Sequence, residues 1–348
     1  MRPTSLVIVA AVALLGLFAA LDALRGTSIA TSQTTSTQED DTGPETITLI
    51  PAIEGRAEIQ RQLRGAGITG TLFMTDEECR LRALSLPELG WVLDSAAQGE
   101  ECEFTVAPDS GRVIRFGGGI AWSPDGRTSA VCEANTVFFT GRTGQEVGRE
   151  AGYCAPAWKP GGTLTAARRG TLTAFRSGWE QTLLSPADLA PALRAGSTEL
   201  RILHSPSIRQ AIWLSGSRVA LIIHALVRDQ PGSTYDVLAI YEDRKLVGEP
   251  VANLGFDELV ASPSRSYLAV HGSAPRGLSF VDADGLLLAR NPIASGHHAT
   301  WSPDERWTAI ATGGGTYVFR TSEIEFFNSD SRPQAIRIPV HAADIEWR

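Results

Sequence analysis

The sequence has almost no lysine beside its arginines, no Cys-x-x-Cys pair, no His-x-His or His-Glu-x-x-His, and no Gly-x-Ser-x-Gly. Each absence removes a chemistry. Without closely paired cysteines, neither a structural zinc site nor a thioredoxin-like redox site has ligands at the needed spacing. Without the nucleophile elbow, and with no second α/β half after the repeats described below, a serine hydrolase of the prolyl oligopeptidase kind is excluded. The glycine runs at 117–119 and 313–315 lead neither into a helix nor into Gly-Lys-Ser/Thr, so they read as tight turns rather than phosphate cradles. Lys and Arg total 31 against 39 Asp and Glu, a net charge of -8, so no basic field draws in nucleic acid. The scarcity of lysine reads as genomic bias.

What remains is a chain of 348 residues with 43% hydrophobic content, enough to bury one large or two ordinary domains. Its 34 Gly, 19 Pro and eight Trp are spread along the length, which suits a turn-rich all-β protein. The N-terminus differs. After Met1 and Arg2, Leu6 to Leu21 runs apolar before Asp22, at the short end for a membrane span and the long end for a signal segment. No small-x-small cleavage site follows, with Phe18 and Leu21 standing where small residues are needed, which favours a retained single-pass anchor over a cleaved, secreted form. Residues 25–46 are rich in Ser, Thr and acid and poor in anything that packs, a flexible tether. The expected organisation is a signal-anchor or signal peptide at 1–24, a linker at 25–46 and one folded domain at 47–348, outside the cytoplasm.

The four cysteines, Cys79, Cys102, Cys132 and Cys154, all fall in that exported part. An even count outside the cytoplasm points to two disulfides. Of three connectivities, Cys79 with Cys102 and Cys132 with Cys154 is favoured because each would tie neighbouring strands; four free buried thiols is the alternative.

An internal repeat dominates the rest. "IAWSPDGRTSAV" (120–131) and "ATWSPDERWTAI" (299–310) are near copies, and "APAWKPGGTLTAAR" (155–168), "QAIWLSGSRVALII" (210–223) and "LVASPSRSYLAVHG" (259–272) share the plan of apolar strand, turn, apolar strand. Trp or its replacement stands at 122, 158, 213, 261 and 301, in steps of 36, 55, 48 and 40. Such periods fit one four-stranded propeller blade each. Trp347 follows Trp301 by 46 residues and the strands of 68–89 lack a Trp strand of their own, so the C-terminal strand is expected to complete the N-terminal blade and remove its open edges. "FTVAPDSGRVIRF" (104–116) is too close to Trp122 for a full blade and reads as an extra hairpin within one. The fold class is all-β, a six-bladed β-propeller with seven blades as the alternative.

The block Trp-Ser-Pro-Asp-Gly followed by an apolar strand resembles the TolB-like, or WD40-like, β-propeller repeat of exported bacterial proteins. The resemblance spans most of 66–348, near-complete at Trp122 to Gly126 and at Trp301 to Asp304, and degenerate elsewhere. It implies a propeller that binds through one face, often to another protein of the cell envelope. No counterpart of TolB's additional N-terminal domain is recognised, so the resemblance does not extend to a Tol complex.

The turn residues have structural duties. Pro124 presets φ, Asp125 bonds its own backbone, and Gly126 takes the left-handed conformation without steric cost. Trp122, Trp158, Trp213, Trp301 and Trp347 supply apolar area between blades and an indole N–H that needs a partner. In the second copy Pro303 and Asp304 repeat the pattern but Glu305 replaces the glycine, which costs roughly 1 kcal/mol or demands another turn. Sialidase Asp boxes need a residue between Asp and Gly, and Asp125 and Gly126 are adjacent. No catalytic, cofactor or metal residues are assigned.

The histidine pair His297 and His298 is the most conspicuous feature outside the repeat. Neighbours on a strand face opposite ways, so the pair reads as rim or channel histidines rather than one metal site; His204, His224, His271 and His341 read as scattered. Asp76, Glu77 and Glu78 read as a solvated turn rather than a calcium site. Residues 52–67 read as a helix ending at Gly65, and 184–196 as a helix started by Ser185, Pro186 and Asp188 and cut short by Pro191. The expected function is a membrane-tethered binding module whose partner is another envelope protein or a cell-surface ligand. A metal-dependent hydrolase of the lactonase-like propeller type and a purely architectural envelope protein are the alternatives.

Overall fold

The computed structural model describes residues 52–94, 104–106, 113–115, 120–141, 145–176, 179–198, 201–253, 255–273, 276–329 and 333–348. The expected anchor at 1–24 and linker at 25–46 lie outside the described residues. Among the described residues no helix is long and apolar enough to cross a membrane.

A helix, α1 (Arg56–Ala66), opens the domain. It ends one glycine later than expected, because Gly67 rather than Gly65 takes the left-handed conformation (φ 71) and its N–H meets the last carbonyls. Ile59 and Leu63 are buried while Ala57 stays exposed. Strands β1 (Gly70–Thr75), β2 (Leu81–Leu86) and β3 (Gly90–Asp94) follow, then a short pair, β4 (Phe104–Val106) and β5 (Val113–Arg115). The next two sheets are β6 (Ile120–Trp122), β7 (Ser129–Glu133), β8 (Thr136–Thr140), β9 (Glu146–Ala151) and β10 (Cys154–Trp158), β11 (Leu164–Arg168), β12 (Thr171–Arg176), β13 (Trp179–Leu184). After helix α2 (Pro186–Gly196) come β14 (Leu203–Trp213), β15 (Arg218–Val227), β16 (Thr234–Glu242), β17 (Lys245–Asn253). The last two begin with β18 (Phe256–Ala261), β19 (Tyr267–Ser273), β20 (Arg276–Asp282), β21 (Leu287–Arg290) and continue with β22 (Gly296–Trp301), β23 (Trp307–Thr312), β24 (Gly315–Arg320), β25 (Ile336–Ile338), a 3-10 helix (Thr321–Asn328) lying between β24 and β25. The chain ends in β26 (Asp344–Trp347).

Among the described residues these strands form six four-stranded antiparallel sheets, five in sequence order and one in the order β26-β1-β2-β3. The expected closure is therefore present: Leu72 faces Trp347 and Thr75 faces Asp344 across β1 and β26. First strands of successive sheets touch, β6 with β10, β10 with β14, β14 with β18 and β22 with β26, so the sheets follow one another around a common axis as propeller blades do. The 104–116 hairpin departs from expectation. Among the described residues it pairs only with itself, Phe104 opposite Arg115, in a two-stranded sheet separate from the four-stranded ones. Its first strand is held from one side by β26, whose Asp344 Oδ2 and Glu346 Oε2 accept the Phe104 and Val106 N–H at 3.2 and 2.7 Å. From the other side Trp122 donates to Thr105 Oγ1 at 3.3 Å.

The repeat positions coincide with strand ends. Trp122, Trp158, Trp213, Ala261, Trp301 and Trp347 are each the last residue of the first strand of a sheet. Their indoles reach the neighbour before them. Trp158 Nε1 donates to Ala121 O (3.1 Å) and Trp213 Nε1 to Thr165 Oγ1 (2.9 Å), while Trp301 packs edge-on against Phe280 of the preceding sheet. The turn that follows is the expected one in both near copies. Ser123 Oγ donates to Asp125 Oδ1 at 2.6 Å and accepts Thr128 N–H at 2.9 Å; Ser302 Oγ does the same with Asp304 Oδ1 at 2.7 Å and Trp307 N–H at 3.0 Å. These bonds from serine, together with backbone N–H groups, hold both aspartates below the usual carboxylate range. Glu305 keeps the same turn as Gly126, at φ 58 against 67, and uses its side chain to accept Ser264 N–H (2.9 Å) and Oγ–H (2.8 Å) from the preceding sheet. The left-handed strain is thus set against a contact that glycine could not make.

Helix α2 also departs from expectation by running through Pro191. That proline forfeits one backbone bond, and Leu189, Ala192 and Leu193 are buried in the core with Leu203, Ile208 and Val237, which outweighs the loss. The helix start is as read: Asp188 Oδ2 accepts the Ser185 N–H and Oγ–H at 2.8 and 2.6 Å, and Arg244 pairs with the same carboxylate. The Cys132–Cys154 disulfide is present and joins β7 to β10, linking consecutive sheets rather than strands of one local unit. Cys79 is disulfide-bonded, and its expected partner Cys102 lies outside the described residues.

Gly70 fits this closure, since a Cβ there would lie 2.7 Å from Trp347 Nε1 and its φ is 115. Trp347 is 3% exposed and donates to Thr69 O at 3.1 Å. Trp347→Ala is expected to lower stability by about 3–5 kcal/mol, measured by urea unfolding; a loss under about 1 kcal/mol would contradict the role of the closing strand.

Candidate functional site: an inward histidine and carboxylate cluster

The first strand of each sheet places the residue three before its Trp position at the same level of the ring. At five of the six sheets reached this way from 158, 213, 261, 301 and 347, these residues are Ala155, Gln210, Glu258, His298 and Asp344. Three successive repeats thus carry ionisable groups at one register, where the earlier ones carry Ala155 and Gln210. They converge. His298 Nδ1 lies 3.3 Å from Glu258 Oε2 and 3.3 Å from Asp344 Oδ1. His271, directly across the hairpin from Glu258, adds a second imidazole whose Nδ1 is 3.2 Å from the same Glu258 oxygen. The two imidazoles stack edge to face at 4.4 Å. Gln210 frames the site from the preceding sheet, exchanging two hydrogen bonds with the backbone of Leu259.

Exposure differs sharply within the cluster. The His271 side chain is 4% exposed and Asp344 15%, whereas Glu258 is 42% exposed although protein surrounds it. Burial pushes Glu258 up, but hydrogen bonding and charge from His271 and His298 outweigh it and hold the carboxyl well below its ordinary range. Asp344 goes the other way. Burial, reinforced by the charge of Glu258 and opposed by His298, pushes it up to about 7. Burial also raises Glu346, two residues along the strand.

The tautomer of His271 follows from its surroundings. The Ala299 N–H, which can only donate, points at His271 Nε2 at 3.1 Å. Nε2 is therefore unprotonated, and the neutral ring carries its hydrogen on Nδ1. Burial, then the charge of His298, lowers the His271 pKa and keeps the ring neutral. The Nδ1–H faces Glu258 Oε2 at 3.2 Å. Glu258, His271 and His298 have ligand atoms within 4.8 Å of one another, the spacing of a metal site.

Of the histidines singled out in the sequence, His298 belongs to the cluster. His297 does not join it: a bulge between Gly296 and His298 turns it aside, and its Nε2 bonds Ala342 O at 2.8 Å. His271 was read as scattered and is instead central. Glu258 and Asp344 were not singled out either, although their shared offset from the repeat Trp is a signal present in the sequence. His224 serves another purpose, pairing with the buried Asp236, which also accepts the Phe256 N–H. Asp76 is used by its own turn, accepting from Glu78 and Arg80 N–H and pairing with Arg80 and Arg82, as a structural reading requires. A surface groove of about 610 Å³, lined by Ser264, Tyr267, Trp307 and Arg320 among others, includes none of the cluster residues.

No protein-family model matches the chain, and no curated protein sequence matches it. Solved structures do. Hydrazine synthase of Kuenenia stuttgartiensis is similar at 14% identity over 80% of this chain and 86% of that one (TM-score 0.44). The β-propeller domain of Cps50 (Swd1) from Myceliophteria thermophila is similar at 12% over 80% and 90% (TM-score 0.39). Apo AztD from Citrobacter koseri is similar at 10% over 81% and 98% (TM-score 0.47). None of these likenesses bears on what the chain binds.

The cluster makes stability depend on pH. A carboxyl raised from 3.8 to about 7 keeps in the folded state a proton that the unfolded chain has released, so Asp344 makes stability fall as pH rises from about 4 to about 7. His271, lowered by burial, acts oppositely below its ordinary range, and Glu258, held low, adds stability that is lost progressively as pH falls below its ordinary value of 4.5. The groups facing Asp344 are His298 and Glu258. Asp344→Asn removes the first effect. Its stability relative to the parent, from urea unfolding in chelating buffer, is expected to climb between about pH 4.5 and pH 7.5, and a pH-independent difference would contradict the assignment.

Proposed function

We propose that this chain is an exported β-propeller, tethered through residues 6–21 to the outer face of a membrane, that binds a small ligand at Glu258, His271, His298 and Asp344. The observation that carries this reading is the concentration of ionisable side chains at one register of three successive first strands. A ring built only for architecture has no need of them. Apolar residues there would close the sheets without desolvating carboxylates, and buried ionisable groups that stability does not require mark functional sites.

Export is supported by the Cys132–Cys154 disulfide, which suits an oxidising compartment, and by an apolar N-terminal run followed by a polar stalk. The blade count that fits best is seven positions, with the β4–β5 hairpin as a reduced blade between the first sheet and the sheet of β6. The contact of β4 with β26 on one side and with Trp122 on the other supports this.

The full chain, expressed in a bacterium, is expected in the membrane fraction with Cys132 and Cys154 oxidised. A soluble, reduced chain would contradict the tether. On that material, thermal unfolding against a panel of divalent cations, phosphate, carboxylic acids and amines should show at least one class raising the midpoint by about 5 °C at a hundred times its Kd. Glu258→Gln/Asp344→Asn should abolish the shift. A panel without effect on the parent would overturn the binding reading.

A further inference from the structure

We propose that the groove between the last two full sheets and the end of α1 binds a small ligand through a phosphate or carboxylate group. Arg320 is the anchor and Arg306 a second cation. This site is separate from the inward cluster and stands whether or not that cluster binds anything.

The groove measures about 610 Å³, within the range of small-molecule sites. Its walls come from the turn between β18 and β19, the turn between β22 and β23, and the start of the 3-10 helix. Two of those walls are bonded to each other, since Glu305 accepts the Ser264 N–H and Oγ–H at 2.9 and 2.8 Å. The cleft is therefore fixed by the fold and does not wait for a ligand to form it.

Arg320 carries the inference. It stands directly opposite Trp307 across β23 and β24, and its guanidinium carbon lies 5.1 Å from the indole centroid. Trp307 is 8% exposed and anchored in the core, so the ring is a firm platform. A contact of that kind uses the charge of the guanidinium and not its N–H groups, which stay available to bond an oxyanion two at a time. Two other arginines that lie over aromatic rings also donate within the protein, Arg82 to Asp94 and Arg201 to Gly196 O. Among the described residues nothing accepts from Arg320.

Charge points the same way. The Arg306 side chain is 80% exposed, and its one ion pair, with Asp304, is long at 3.7 Å and weak in water. Glu305 is the one acid among the groove's lining residues, and both its oxygens are engaged by Ser264. On a chain of net charge -8, two arginines against one engaged glutamate make a local cationic notch, the complement of an anion. The planar fork of arginine suits carboxylate and phosphate alike. The groove has room beyond a bare ion, and Tyr267 and Ser322 bring hydroxyls to its walls, which suits an anion carried on a hydroxylated body. A sugar phosphate and a sugar acid are the two forms of that chemistry.

The test is calorimetric titration of the full-length chain with glucose 6-phosphate, glucuronate and glucose at constant ionic strength. At least one anionic sugar is expected to bind at one equivalent per chain while glucose does not, and binding by one alone tells phosphate from carboxylate. Arg320→Gln should weaken that binding about 10–100-fold, as the loss of charge-assisted hydrogen bonds requires. Arg320→Lys, which keeps the charge without the fork, should fall between the parent and Arg320→Gln. Glu258→Gln should leave binding unchanged. Retention of the near-ultraviolet circular dichroism reports folding, and Arg306→Gln, at a largely exposed side chain, should weaken binding several-fold and keeps the test decisive if Arg320→Gln fails to fold. No binding of either anionic sugar, equal binding of glucose, or undiminished binding by folded Arg320→Gln would overturn the proposal. Binding lost in Glu258→Gln but kept in Arg320→Gln would put the anion at the inward cluster and overturn this proposal alone.

Discussion

The pairing of Asp344–Trp347 on Gly70–Thr75 is the contact on which the ring depends. It joins Leu72 to Trp347 and so closes a loop of nearly the whole domain, at a cost in chain entropy. In return it covers the free edge of β1 and places Trp347 in the core shared by the first and last sheets. The same four residues reach sideways. Asp344 and Glu346 receive the backbone of β4, and the Trp347 N–H is taken by Thr300 Oγ1 of the last full sheet. Closure and site are one feature, since the strand that seals the ring also carries Asp344 to His298.

Between sheets, the recurring device is an indole at the end of a first strand with its N–H turned toward the previous neighbour. Trp158 and Trp213 show it plainly, and Trp122 extends it to the small hairpin. Trp301 keeps the packing against Phe280 but leaves its N–H without a partner. That bond is lost at the sheet that also carries His298.

Much of this was legible in the sequence for a physical reason. Hairpin turns and strand-ending tryptophans are local, and local chemistry repeats visibly: Ser123 and Asp125, like Ser302 and Asp304, serve their own turns. Closure was legible because a lone Trp strand at one end matched a missing one at the other. Convergence was not. Glu258, His271 and Asp344 belong to different strands, and only the register between β18 and β19 and the rotation between sheets bring them together. Their common offset from the repeat Trp is visible only after the strands are aligned. Pro191 misled because one lost backbone bond weighs less than three buried side chains, and the 104–116 hairpin misled because strand count alone does not say which sheet a strand joins.

One measurement bears most directly on the account that the closing strand holds the ring together. The Thr71 and Arg348 N–H groups, each bonded to the other residue's carbonyl where the last strand meets β1, are predicted to exchange their hydrogens with solvent only through global unfolding. Exchange of these two amides through a local opening, while the amides of β15 and β16 stay protected, would contradict the account.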